Sequence, residues 1–233
     1  MEGKVALISG ASMGLGRAIA AELASRGWRV VGDARDGTRL AEAVRAMPHP
    51  GAVTAIAGDV ADPAHRTLLA DAVASAGRLD LIVNNASVLG PSPQPSLAEY
   101  PTGELERVFA VNAIAPLALL QLLIPWLERT AGRIVNISSD AAVEAYEGWG
   151  GYGSAKAALD QLTAVLAVEH PRLRVYAFDP GDMATDLRRQ AFPGEDISDL
   201  PTPQDVVPAL LRLVTGDLPS GRYRAVDLAA ATA

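Results

Sequence analysis

The chain has 233 residues, no cysteine, three histidines and 20 Lys+Arg against 27 Asp+Glu, a formal net charge of −7. Its length fits one large domain or two small ones. The lack of cysteine excludes a disulfide scaffold, a Cys-ligated zinc site and thiol catalysis; the acidic balance argues against a nucleic-acid or anionic-membrane binder; and 49% hydrophobic with 20% charged residues excludes a disordered chain.

Short apolar runs alternate with segments of helical period along the whole chain. The first run, residues 4–9, holds only four apolar residues before Ser9, too few for a signal-peptide core. No uninterrupted apolar stretch reaches about 18 residues, so no membrane span is expected and a cytoplasmic location is the default. Next comes Ser9-Gly10-Ala11-Ser12-Met13-Gly14-Leu15-Gly16, spaced G-x-x-x-G-x-G, and then Leu15, Ala18, Ile19, Glu22 and Leu23 at helical spacing. Glycines between a strand and a helix permit a tight turn and bring a pyrophosphate to the helix N-terminus, where free N–H groups meet the anion. The pattern points to dinucleotide binding.

The second strand, residues 29–32, leads into Asp33-Ala34-Arg35-Asp36. An acid there accepts from an adenosine 2′-hydroxyl, whereas an arginine accommodates a 2′-phosphate. Both residue types are present. Helical periods follow over 38–47, 64–75, 103–129, 152–168 and 204–215, and further apolar strands over 53–57, 79–84, 133–138 and 173–179. Continuous apolar strands imply burial on both faces and hence a parallel sheet. The expected fold is a doubly wound α/β Rossmann sheet, a single domain over 1–233, with a substrate loop at about 181–203.

Tyr152 and Lys156 lie one helical turn apart, so they share a face. A lysine cation beside a phenol favours the phenolate, and a tyrosine so tuned passes a proton to or from a carbonyl or alcohol oxygen. Ser139 stands at the end of the fifth strand, thirteen residues before Tyr152, at the sheet edge where such folds bind ligands. The histidines His49, His65 and His170 are scattered and show no metal spacing.

In this combination the sequence resembles the short-chain dehydrogenase/reductase family from Lys4 to about Thr185. The glycine loop is similar to the family's T-G-x-x-x-G-x-G, with Ser9 in place of threonine. Asp59-Val60 resembles the acidic pair at the adenine, Asn84-Asn85-Ala86-Ser87 the N-N-A-G after strand four, and Pro180-Gly181-Asp182-Met183-Ala184-Thr185 the P-G-x-V-x-T at the nicotinamide carboxamide. Asn112, Ser139, Tyr152 and Lys156 match the catalytic tetrad.

The resemblance implies an NAD(P)(H)-dependent oxidoreductase that moves a hydride between nicotinamide and a carbonyl or alcohol substrate. Tyr152 is then the general acid/base, Lys156 lowers its pKa and holds the ribose, Ser139 orients the substrate oxygen, and the Asn112 carbonyl holds a water. The implied cofactor contacts are Gly10, Ser12, Met13, Gly14, Leu15, Gly16, Arg35, Asp59, Val60, Asn85, Ala86, Tyr152, Lys156, Pro180, Gly181, Met183 and Thr185. In the family's register the usual NAD-type aspartate falls on Ala34, followed by Arg35, which favours NADP(H); Asp33 keeps NAD(H) open if the register shifts by one. Arg17 is a second cation to test. Val88, Leu89, Tyr146, Trp149, Met183, Leu187 and Phe192 are substrate-wall candidates, and Asp140 either meets a polar group of the substrate or caps the segment that follows it. A homodimer or homotetramer is expected, with no metal, nucleic-acid or membrane partner. The alternative is a catalytically silent dinucleotide-binding regulator, although such relatives typically lose the tyrosine or lysine.

Overall fold

The computed structural model describes residues 3–230. Seven strands make one sheet: β1 (Val5–Ile8), β2 (Arg29–Ala34), β3 (Val53–Ala57), β4 (Leu81–Asn84), β5 (Arg133–Ile137), β6 (Arg174–Asp179) and β7 (Gly221–Arg224). Their order is β3-β2-β1-β4-β5-β6-β7, and every pairing is parallel. The chain steps outward from β1 to β3, then crosses back to β4. The carboxyl ends of β1 and β4 therefore flank the switch point where open α/β sheets bind ligands.

The connections are α1 (Gly14–Ser25), α2 (Gly37–Arg45), α3 (Pro63–Ala76), α4 (Thr102–Phe109), α5 (Ala115–Thr130), α6 (Gly150–Glu169), α7 (Asp186–Ala191), α8 (Pro203–Thr215) and α9 (Ala225–Ala230). Two cores sandwich the sheet. Ala6 and Ile8 of β1 pack toward Ile19 and Leu23 of α1 and Leu210 of α8. Val5 and Leu7 point the other way, toward Leu69 of α3 and Leu119 and Leu123 of α5. Each such aliphatic side chain, fully buried, contributes about 1.5–3 kcal/mol, which fixes β1 at the sheet centre.

Four features differ from the sequence reading. β3 is an edge strand whose residues are exposed or half-exposed, because only one neighbour and one helix cover it; its apolar run did not mean burial on both faces. β7 was not expected, since Gly-Arg-Tyr-Arg carries no apolar run; it too is an edge. The segment 181–203 is not all loop, because Asp186 to Ala191 form α7, capped by the Thr185 hydroxyl on the Arg188 N–H. The single helix expected over 103–129 widens into a π-turn at Ala110–Ile114, around the buried Asn112. Such π-turns often sit at functional sites. By length and composition Thr102–Thr130 would also suffice to cross a bilayer, but half of its apolar window is buried. Leu119, Leu120, Leu123 and Leu127 lie in the core against the sheet, and this packing accounts for the hydropathy.

Candidate active site

A cleft of about 620 Å³ runs along the carboxyl edge of the sheet. Its floor is the turn between β1 and α1. Gly10 and Gly14 take positive φ of 71° and 52°, which side chains other than glycine rarely adopt. A Cβ on Gly16 would stand 2.3 Å from the Gly10 carbonyl oxygen. Gly16 thus secures the close approach of helix and strand and does not line the cleft, whereas Gly10, Ser12, Met13, Gly14 and Leu15 do. The Ser9 hydroxyl accepts from the N–H groups of Asn85 and Ala86, both at 2.9 Å, and Asn85 Nδ2 donates to the Ser9 carbonyl at 2.9 Å. Serine in place of threonine keeps the bond that joins the β1 and β4 ends. No side chain caps the first turn of α1, so its N–H groups are left for an anion.

At one end, β2 delivers Asp33, Ala34, Arg35 and Asp36 to the cleft, and α2 adds Arg39. Asp33 is buried. Its Oδ1 accepts from Gly10 N at 3.0 Å and its Oδ2 from His65 Nε2 at 2.9 Å. Asp36 caps α2 by accepting from Arg39 N at 3.0 Å. Asp59 accepts from Ala61 N and from the Arg107 guanidinium. Partial burial works against its charge, but these two donors, with the nearby Arg35 charge, outweigh it and hold the carboxyl below the usual range. Arg39 Nη2 reaches Asp186 of α7 at 2.7 Å. Arg35 is exposed and, among the described residues, makes no ion pair or hydrogen bond through its side chain. Arg17 is exposed and outside the cleft.

At the other end stand Ser139, Tyr152 and Lys156. Tyr152 and Lys156 are buried on one face of α6, with the ammonium 5.5 Å from the phenol ring centre. Lys156 Nζ donates to the Ile137 carbonyl at 2.7 Å. Burial pulls its pKa down to about 8. Burial also pushes the Tyr152 phenol up to about 12, reinforced by the charges of Asp140 and Asp179; hydrogen bonds with Ser87 and Ser139 act the other way. The expected lowering of the tyrosine by the lysine is therefore not realised in this geometry, because desolvation of the phenol dominates.

Asn112 lies behind the cleft. Its side chain clamps the β4 exit, accepting from Val88 N at 2.9 Å and donating to the Val88 carbonyl at 2.8 Å. A chain of buried bonds from Asn84 through Asn136 to Thr163, at 2.8 Å each, ties β4 and β5 to α6.

Of the other predicted residues, Val60, Asp59, Asn85, Ala86, Pro180, Gly181, Met183, Thr185, Val88, Asp140, Trp149 and Leu187 line the cleft. Trp149 meets Tyr152 edge-on at 5.7 Å and Phe192 at 5.8 Å. Leu89 is buried in the small core beside Tyr152. Tyr146 faces solvent, its hydroxyl bonded to Asp140 and Glu144, and is not a cleft wall. Asp140 accepts from its own turn at Ala141 N and from the Ser139 hydroxyl at 2.9 Å.

Sequence reasoning missed Arg39, although it follows Arg35 by four positions. It also missed Arg222, which nothing in its neighbourhood announces. This β7 guanidinium donates to Asp160 of α6 at 3.0 Å, to Asp179 at 3.0 Å and to the Ser139 carbonyl at 2.9 Å. Asp179 in turn accepts from Gly181 N at 3.0 Å. One side chain thus joins the serine, the lysine helix and the Pro180-Gly181 turn. Among the described residues no group of three or more acids or histidines is placed to hold a metal.

Comparison with known proteins bears directly on this cleft. The family model for short chain dehydrogenase matches residues 4–196. The chain belongs to that family. It is an NAD(P)-dependent oxidoreductase with the family's Rossmann-type sheet. It is 34% identical to the rhamnolipid-biosynthesis 3-oxoacyl-[acyl-carrier-protein] reductase of Pseudomonas aeruginosa, over 81% of this chain and 76% of that one. Among solved structures, a short chain dehydrogenase from Shigella flexneri complexed with NADP is 29% identical with a TM-score of 0.90, covering 97% of this chain and 98% of the other. One from Escherichia coli complexed with NADPH is 30% identical, also at 0.90, covering 97% of both.

Proposed function

We propose that the protein is an NADP(H)-linked alcohol dehydrogenase or carbonyl reductase with Tyr152 as its proton donor and acceptor. The observation that carries this reading is the placement of Tyr152, Ser139 and Lys156 in the same cleft as the glycine loop and Arg35. The cleft fits a dinucleotide: the first turn of α1 is uncapped by side chains, and a Cβ at Gly10 would stand 2.9 Å from Asn85 Nδ2. The nicotinamide, when bound, supplies or accepts the hydride.

The chain does the rest. The loop from Gly10 to Leu15 would hold the pyrophosphate. Pro180, Gly181, Met183 and Thr185 would meet the nicotinamide end, and Asp59, Val60, Asn85 and Ala86 the adenosine side. Arg35, which forms no ion pair or side-chain hydrogen bond among the described residues, would bind the 2′-phosphate, with Arg39 beside it. The neighbours solved with NADP and NADPH support that choice.

With its pKa pushed to about 12, Tyr152 holds its proton at neutral pH and would donate it to a carbonyl oxygen during reduction. Ser139, whose hydroxyl donates to Asp140 in this structure, would turn that donor to the oxygen and stabilise the charge that develops there. Lys156 would hold the nicotinamide ribose and return the proton, and Asn112 would fix the backbone beside the reacting carbon. Val88, Leu187 and Trp149 would form an apolar substrate wall. Val165 and Val168 of α6 are exposed, and a second copy of the chain would cover them.

The test is NADPH oxidation with a panel of aldehydes and ketones, alongside Tyr152→Phe. The variant is expected to lose about 10²–10⁴-fold in turnover while binding NADPH with wild-type affinity. Turnover near the wild-type level in that variant would remove Tyr152 from the mechanism.

A further inference from the structure

Two buried titratable residues outside the catalytic group face each other at the adenosine end. Asp33 and His65 are 2% and 3% exposed, and their side chains meet at 2.9 Å. A carboxylate accepts only, so the Nε2 atom of His65 carries the shared hydrogen. The other ring nitrogen, Nδ1, is buried with no partner among the described residues. A Cβ on Gly58 would stand 2.1 Å from it. Gly58, whose N–H bonds to the Ala34 carbonyl, is therefore what lets the imidazole slide under the β3 exit to reach Asp33.

The consequence lies on the cleft side. Asp33 is part of the cleft wall, next to Ala34 and Arg35. Its Oδ1 is taken by the glycine loop and its Oδ2 by His65. A ribose diol binds at such a strand end by donating to a carboxylate oxygen. Each oxygen thus already has a buried donor, and at 2% exposure the side chain presents little of its remaining lone pairs to the cleft.

We propose that His65 is a specificity-determining residue for the cofactor: it withholds Asp33 from the 2′-hydroxyl of NAD(H) and leaves the strand end to the 2′-phosphate. The inference rests on the NADP(H) reading above and deepens it. His65 touches no substrate or cofactor; it acts through Asp33, as a positioning residue. Its hydrogen bond also tempers the negative potential of a carboxylate that stands two residues before Arg35. Removing the imidazole would leave Oδ2 free, attractive to a ribose hydroxyl and repulsive to a phosphate.

The experiment is a fluorescence titration with NADPH and with NADH of wild type, His65→Leu, His65→Gln and Asp33→Asn, each checked for folding by thermal melting. Wild type is expected to bind NADPH about tenfold or more tighter than NADH, a difference of about 1.4 kcal/mol. His65→Leu, close in volume but without a donor, is expected to bring that ratio down by about tenfold, through weaker NADPH and stronger NADH binding. His65→Gln keeps an N–H within reach of Oδ2 and is expected to keep most of the preference; a merely structural role for the imidazole would not show this rescue. Asp33→Asn tests the idea without touching the histidine. NADH affinity should not change, because the carboxylate is not offered to the ribose.

A ratio unchanged in a folded His65→Leu overturns the proposal. So does a loss of NADH affinity of about tenfold in Asp33→Asn, which would make Asp33 a ribose ligand already. Wild type that binds neither dinucleotide, or NADH the tighter, overturns the NADP(H) reading itself, and this inference with it.

Discussion

Arg35 and Arg222 stand at opposite ends of one cleft and are used in opposite ways. Arg35 is exposed and, among the described residues, forms no ion pair or side-chain hydrogen bond, its charge only helping to lower the Asp59 pKa, while Asp33, Asp36 and Asp59 around it already have donors. Arg222 is 26% exposed and is bonded to Asp160, Asp179 and the Ser139 carbonyl. A cation without a hydrogen-bonded partner, beside acids that already have donors, suits an incoming anion on the reading proposed above. A cation whose donors are consumed internally is scaffold. On the proposed reading, the end at Arg35 gains a charge on binding, whereas the arginine behind Ser139 and Lys156 is already committed within the protein.

Completeness at the catalytic end has a cost that pH should expose. Lys156 is fully buried with its pKa pulled down to about 8, so between about pH 8 and the ordinary lysine value near 10.4 the unfolded chain holds more protons than the folded one. Stability must then rise with pH across that window, by about 3 kcal/mol in all. Tyr152 works in reverse. Its raised pKa, about 12, means that the folded state holds the extra proton above pH 10, and stability falls there. The chain has only two lysines, Lys4 and Lys156, which makes the window easy to read. Urea unfolding of wild type and Lys156→Met from pH 7 to 11 should give a dome for the first and no alkaline rise for the second. A rise that survives the substitution would place its origin elsewhere.

Arg222→Met should follow, with a loss of about 2–3 kcal/mol. Breaking a fully buried ion pair costs more than this, and the partial exposure of Arg222 reduces it. Asp160 feels the change most, since burial already raises its pKa and Arg222 offsets that. Turnover should fall along with stability, because Ser139 and the Pro180-Gly181 turn lose a common anchor. The NADPH:NADH preference should stay as it is. A shift in that preference would break the division between the two ends.

The two arginines also mark what the sequence could reveal. β1, the glycine loop and the Tyr152–Lys156 turn are local: each depends on residues within a few positions, so apolar runs, glycine spacing and helical period suffice to read them. Arg35 was legible for the same reason, standing directly after a strand. Arg222 was not. Its partners lie 43 to 83 positions away in sequence, on α6, on β6 and in the turn after β5, and it sits on an edge strand too polar to show as a strand at all. His65 was equally opaque, since a lone histidine near a helix start says nothing about an aspartate 32 positions earlier. The direction of the Tyr152 pKa was misread because sequence shows the neighbouring lysine but not the desolvation around both.

Arg35→Ala reverses the Arg222 experiment. NADPH should bind about tenfold more weakly, about 1.4 kcal/mol, with NADH affinity unchanged. Thermal stability should stay within about 0.5 kcal/mol of wild type, as for most exposed side chains away from structural features. A fall in melting temperature without a change in NADPH binding would make Arg35 scaffold after all.

The smallest expected effect lies where the two ends touch. Arg39 of α2 and Asp186 of α7 pair at 2.7 Å with both side chains about half exposed. Such a surface pair contributes about 0–1 kcal/mol, so Asp186→Asn should hardly move the melting temperature. It does release Arg39 and remove a negative charge from the mouth of the cleft. If Arg39 serves the 2′-phosphate beside Arg35, NADPH should bind about two- to threefold tighter in the variant, and added salt should erase the gain within a Debye length of about 8–10 Å. Weaker NADPH binding would carry a different meaning: α7 would then be closing over the cofactor through this pair, and the segment after Gly181 would belong to the binding site as a moving part.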